Sequence, residues 1–182
     1  MRSIRSLLPR AAAVAVAVAL FPPVFQAKAD APAPTKSVDL QRYAGRWYEV
    51  ARVPNHFEKG RECDGPTADY RQDAGGAVTV VQTCHQNSPT GPVKAYHAKA
   101  EILDPGTNAK FKLTFFVVVA KEYWVLDHAQ DYKWAIVGDP TGQYLWFFSR
   151  QAALPSTVKD TLLARARALG YDTARLEFPA QG

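Results

Sequence analysis

Cysteine is scarce in this chain. Cys63 and Cys84 are the only two, and no CxxC pair is present. The four histidines, His56, His85, His97 and His128, are scattered and form no ligand set, so metal and haem-attachment spacings are absent. G-x-S-x-G, H-E-x-x-H, P-loop and GxGxxG patterns are missing as well, which removes the sequence basis for hydrolase, metalloprotease and nucleotide-binding chemistry. No catalytic residue, metal or cofactor is assigned. Long apolar runs are also lacking. Residues 11–21 form an unbroken apolar stretch of 11 residues, well short of the ~20 needed to span a bilayer.

That run has a specific context. Arg2, Arg5 and Arg10 precede it, no acid occurs before Asp30, and Ala27-Lys28-Ala29 supplies a small-x-small cleavage site. Residues 1–29 therefore read as a secretory signal peptide cut after Ala29, an uncleaved anchor being the alternative. The segment also carries the apparent basicity. Without its three arginines and Lys28, the 22 basic residues fall to 18 against 17 acidic, a net charge near +1. A nucleic-acid partner is thereby excluded as an expectation. Two cysteines in an exported chain read as one disulfide, with a reactive thiol or a metal pair as the alternatives.

Residues 30–37 (Asp-Ala-Pro-Ala-Pro-Thr-Lys-Ser) are Pro-rich and predict an extended linker. A short lead-in follows over 38–43, with room for one helical turn. Eight strand-like runs then occupy 47–53, 67–72, 77–84, 93–103, 110–117, 123–127, 133–138 and 144–149. Between them lie turn chemistries such as Asp73-Ala74-Gly75-Gly76, Asp104-Pro105-Gly106 and Asp139-Pro140-Thr141-Gly142. Alternation is cleanest where Tyr96, Ala98, Ala100 and Ile102 interleave with His97, Lys99 and Glu101, and where Phe111, Leu113 and Phe115 interleave with lysine and threonine. Connections this short favour antiparallel neighbours. The expectation is an all-β, eight-stranded, antiparallel up-and-down barrel over 38–182, a size able to hold one small ligand.

After the strands the period changes. Val158, Leu162, Ala166 and Leu169 form one stripe between Pro155 and Gly170, predicting an amphipathic helix over 155–169 packed outside the barrel. A membrane-surface role is the alternative, weakened by a polar face of mixed charge and an apolar face without aromatics. Residues 175–178 offer a last short strand.

Up-and-down parity sorts the chain ends of these strands. Trp47, the Asp131-Tyr132 turn and Arg150 come to one end, where an arginine across the indole would close the floor. Gly45, Trp47, Asp131, Tyr132 and Arg150 are thus read as structural. Loops 54–66, 85–92, 118–122 and 139–143 come to the other end, the mouth. Cys63 and Cys84 fall there within two register positions of each other, which makes the Cys63–Cys84 bridge the expected pairing.

Gly45-x-Trp47, Asp131-Tyr132 and Ser149-Arg150, in that order and followed by the helix, resemble the three motifs of the lipocalin family. The stretches WYEVARVPNHFEKG, YWVLD, DYKWAIVGDP and YLWFFSR are most similar to bacterial outer-membrane lipocalins, apolipoprotein D and the plant temperature-induced lipocalins. The resemblance implies binding, transport or storage of fatty acids, lysophospholipids or similar lipids in the cell envelope, often under membrane stress. It extends over nearly all of the chain beyond residue 29. One departure stands out: many bacterial members carry a lipidated cysteine at the cleavage site, whereas here the first cysteine is Cys63. A soluble periplasmic or secreted protein is expected, with peripheral association to an outer membrane left open.

Counting inward faces gives an expected ligand lining of Glu49, Tyr96, Ala98, Ala100, Phe111, Leu113, Phe115, Tyr123, Val125, Tyr144, Trp146 and Phe148. A solid core of the same rings is the alternative. The mouth would add Arg52, His56, Lys59, Arg61 and Lys121, offset by Glu58, Glu62 and Asp64. A fatty acid or lysophospholipid would lie chain-in and head-out, bound by a monomer or weak homodimer. Haem is disfavoured because no histidine falls on the inner face; a sterol or retinoid-like ligand stays open. The competing class is an enzyme of this fold, an isomerase or hydrolase acting on a lipid, with Glu49 as its polar group.

Overall fold

The structure is a computed structural model that describes residues 30–55 and 63–181. The expected export segment and the rim residues His56, Glu58, Lys59, Arg61 and Glu62 lie outside the described residues. Eight antiparallel strands close into a barrel in sequence order: β1 (Gly45–Arg52), β2 (Cys63–Gln72), β3 (Val78–Gln86), β4 (Val93–Ile102), β5 (Lys110–Phe115), β6 (Val119–His128), β7 (Trp134–Gly138) and β8 (Leu145–Ser149). The fold class read from alternation and turn spacing is this one. A single-turn helix α1 (Leu40–Tyr43) precedes the barrel, and helix α2 (Ser156–Ala168) follows it.

Two apolar cores result from the two faces of the strands. Inside the barrel, Tyr43, Trp47, Tyr70, Val80, Phe111, Leu113, Val125 and Val137 are buried together. Outside, Val50, Ala51, Leu126, Ile136, Leu145 and Phe147 meet Leu162 and Ala166 of α2. The α2 stripe thus covers β1, β6, β7 and β8, the packing role that its mixed-charge polar face favours. Residues 175–178 do not form a strand. Arg175 ends a 3-10 turn (Thr173–Arg175), and the residues after it make one antiparallel bridge, Arg52 to Glu177. Residues 30–37 lie against the barrel: the Ala31 N–H donates to the Pro140 carbonyl at 3.0 Å, and Lys36 pairs with Asp127 at 2.5 Å.

Two bulges decide where key charges point. Between Val125 and Asp127 the register slips by one, so Leu126 and Asp127 both face outward. Asp127 then reaches Arg165 of α2 at 3.1 Å as well as Lys36, pinning the helix and the lead-in to β6. Between Glu49 and Ala51 the same slip turns Val50 and Ala51 outward together. Glu49, opposite Phe148, and Arg52, opposite Trp146, are left on the inner face.

Candidate functional site: a cavity open at the barrel mouth

The floor is built first. Gly45 enters β1 at φ +92°, a conformation open to glycine, and the chain then places Trp47 at the barrel axis, fully buried. The Trp47 indole N–H donates to the Tyr43 carbonyl at 2.8 Å. The Arg150 guanidinium lies 3.7 Å from the indole centre. Its Nη2 donates to the carbonyls of Arg42, Tyr43 and Ala44 at 2.8, 3.1 and 2.9 Å, and Nη1 to that of Arg46 at 2.7 Å. One cation thus closes the C-terminus of α1, where carbonyls have no helical partner. Burial pulls the Arg150 guanidinium below its ordinary value. Tyr132, at φ +58°, accepts the Asp39 N–H through its hydroxyl at 2.8 Å and stacks under Arg42, 4.6 Å from its ring centre. Asp131 is exposed, paired with Lys133 at 2.9 Å, and this partner lowers its carboxyl.

Above this plug, toward the mouth, the barrel holds a cavity of about 320 Å³. Six of the twelve expected lining residues border it: Glu49, Tyr96, Phe115, Tyr123, Trp146 and Phe148. Tyr123 and Trp146 pack at 5.2 Å between ring centres and form an aromatic wall. The other six do not border it. Ala98, Phe111, Leu113 and Val125 are buried in the interior core, with Ala100 packed partly buried against it, and Tyr144 sits beside Trp146, 6.1 Å between ring centres. The first five share the inward face but belong to the filled half, where Tyr43, Tyr70 and Phe111 close up on Trp47, whereas Tyr144 precedes β8 at the mouth end. Strand alternation gives the face of a residue and not its depth.

The opposite wall is polar, contrary to the expectation of a nearly all-apolar lining. Thr67, Gln82 and Thr83 of β2 and β3 line it, with the hydroxyls of Thr67 and Thr83 bonded at 2.7 Å. Asn55, Lys121 and the apolar Phe116 and Val119 complete the rim. Thr67, Gln82 and Thr83 carry no apolar signal of the kind used to choose lining residues, and Phe116 and Val119 fall in and beside the turn after β5, outside its alternating run.

Cys63 and Cys84 also line the cavity. The expected bridge is not formed in this structure: both are free thiols, in hydrogen-bond contact with each other. Burial pushes the Cys63 thiol well up, helped by the Cys84 contact and by Glu49, against a smaller opposing effect of Arg52. A protonated, shielded thiol is a poor nucleophile. Glu49 itself is held by Arg52, with Nη1 donating to Oε1 at 3.1 Å and both side chains largely buried. The second bulge is what joins them, and alternation alone gives no sign of it. Among the described residues no group of three or more His, Cys, Asp or Glu is placed to hold a metal.

The lipocalin-like domain family matches residues 38–181. Temperature-induced lipocalin-1 of Arabidopsis thaliana is 33% identical over 154 residues, 80% of this chain and 81% of that protein. The outer membrane lipoprotein Blc of Vibrio cholerae is 30% identical over 149 residues, covering 81% and 85%. Among solved structures, insecticyanin of the tobacco hornworm Manduca sexta superposes with a TM-score of 0.67 at 24% identity, covering 82% of this chain and 84% of that one.

Proposed function

The chain belongs to the lipocalin family, whose barrels bind small hydrophobic ligands, and we propose that its own ligand is a single-chain lipid, a fatty acid or lysophospholipid. The observation that carries this reading is the asymmetry of the cavity. An aromatic wall of Tyr96, Phe115, Tyr123, Trp146 and Phe148 suits an acyl chain, and its volume of about 320 Å³ is that of a small-molecule site. Asn55 and Lys121 line the mouth, where an ionised head group would sit half in water.

Binding without turnover is the accompanying reading. Glu49, the polar group an enzyme of this fold would need, is engaged by Arg52, and the Cys63 thiol is held protonated. The protein carries or stores lipid in the cell envelope, after export directed by residues 1–29, and serves under membrane stress. In the oxidising compartment the neighbouring thiols of Cys63 and Cys84 close to a disulfide, which fixes β2 to β3 at the cavity wall.

Native mass spectrometry of the purified protein, with lipid extraction and product analysis, tests this. A one-to-one complex with a single-chain lipid, released unchanged, is the expected result. Recovery of only polycyclic ligands that fatty acids do not displace would overturn the ligand class. Lipid turnover abolished by Glu49→Gln would overturn the binding reading.

A further inference from the structure

The connection between β5 and β6 breaks the local rules of its own turn. The Val118 N–H donates to the Phe115 carbonyl at 3.2 Å, so Phe116 and Val117 are the central residues of a tight turn. Both have positive φ, +49° and +71°. Hairpin turns with this backbone normally carry Asn-Gly or Asp-Gly, because a side chain at positive φ is crowded and a β-branched one most of all. The two side chains are also left in water: Phe116 is 68% exposed, Val117 91% and Val118 82%. A sequence selected for folding alone would place polar, turn-favouring residues here. Strain of this kind, held by the surrounding structure, points to a function of the strained segment.

The position of the tip says what the function is. Phe116, Val119 and Lys121 border the cavity, so the apolar tip is continuous with the mouth. Val93, 61% exposed, adds a further apolar side chain at the mouth end of β4. Behind the tip stands an amphipathic layer. Tyr96 meets Phe116 edge-on at 6.3 Å between ring centres, and the Lys94 ammonium lies 5.5 Å from the Tyr96 ring. Lys121 is exposed on β6. Exposed apolar side chains at the tip, with a tyrosine and two lysines close to it at the mouth end, bring together the acyl-facing and head-group-facing chemistries of a bilayer interface.

We propose that the turn Phe115–Val118 is a membrane-docking tip that inserts into an anionic lipid surface, with Lys94 and Lys121 on the head groups, and so sets the cavity mouth against the bilayer. This goes beyond ligand binding and stands without it, because Val117 and Val118 do not line the cavity. Charge complementarity selects the lipid surface over a second copy of the chain, since two copies meeting tip to tip would bring their lysines together.

The test is cosedimentation of the purified wild-type protein and a Val117→Gly/Val118→Gln variant with vesicles of phosphatidylcholine alone or mixed with phosphatidylglycerol. Wild type is expected to partition onto the mixed vesicles, more weakly onto phosphatidylcholine, and the variant to lose about tenfold or more, as for withdrawing two large apolar contacts. Lys94→Glu should abolish the preference for the anionic vesicles. Glycine relieves the strain at position 117, so the variant should melt no lower than wild type, and fluorescence titration with a soluble fatty acid should be unchanged. Wild type that binds neither vesicle, or a variant that binds like wild type, overturns the proposal. So does a concentration-dependent dimer, seen by sedimentation velocity without vesicles and lost in the variant, if vesicle binding is unaffected.

Discussion

The guanidinium of Arg150 lies 3.7 Å from the centre of the Trp47 indole, and the same group gathers the last carbonyls of α1. The contact joins the first and last strands at the closed end and caps the lead-in helix. Trp47→Ala removes a fully buried ring and should cost about 3–5 kcal/mol, as for other large-to-small core changes. Arg150→Lys is the sharper test. Lysine keeps the charge and loses the planar fork that reaches several carbonyls while stacking on the ring. Urea unfolding should therefore show Arg150→Lys recovering little of the stability that Arg150→Ala loses. Full recovery by lysine would mean that charge alone matters at the floor.

Alkaline pH should weaken the barrel in a defined direction. Burial pushes the hydroxyls of Tyr43 and Tyr70 well above their ordinary value of 10.0. A folded-state value raised in this way means that the unfolded chain loses these protons first. Stability is then complete below pH ~10 and falls as pH rises beyond it, by about 1.4 kcal/mol per pH unit for each tyrosine. Ultraviolet titration should show both rings ionising only as the protein unfolds. A smooth titration of every tyrosine near pH 10 with the fold intact would contradict the buried placement.

The thiol pair gives a third prediction. Cys63 and Cys84 are in contact across the bulged end of the β2–β3 pair, so oxidation should join them with little rearrangement. Closing the intervening loop should stabilise the protein by about 3 kcal/mol relative to the reduced form. Peptide mapping without reductant would show one bridge. Two free thiols in protein recovered from an oxidising compartment would exclude it.

How much of this was legible in the sequence depends on which physical signal each feature leaves. Period-2 alternation in 96–102 and 110–115 and the turn residues between runs were enough for the closed barrel, and up-and-down parity brought Trp47, Tyr132 and Arg150 to one end. Bulges leave no such signal. One extra residue at Val50–Ala51 looks like a continued apolar strand, yet it swings Arg52 inward to meet Glu49. Depth is equally silent: Phe111 and Phe115 read alike in the sequence, but Phe111 packs against Tyr43 on the floor side and Phe115 borders the cavity. Polar lining residues such as Thr67, Gln82 and Thr83 were missed because an inward face was identified only by its apolar members.

Cavity filling supplies the last prediction and separates shape from chemistry. Ala68 is buried on β2 and lines the cavity among larger neighbours. Ala68→Phe would place a ring in the empty space facing Trp146 and Phe148. Overpacking a full core usually costs about 1–3 kcal/mol, but here the added ring enters a void, so the cost should be at the low end. The affinity for a single-chain lipid should fall by tenfold or more, since the new ring takes the volume an acyl chain requires. Thr83→Val, which changes the polarity of the opposite wall while keeping its volume, should alter affinity far less for an acyl chain than for a polar ligand. Trp146 reports directly on both variants, because its indole forms part of the wall and its emission should shift on ligand entry. If Ala68→Phe binds fatty acids as wild type does, the acyl chain does not occupy this cavity, and the lipid site must be sought elsewhere on the barrel.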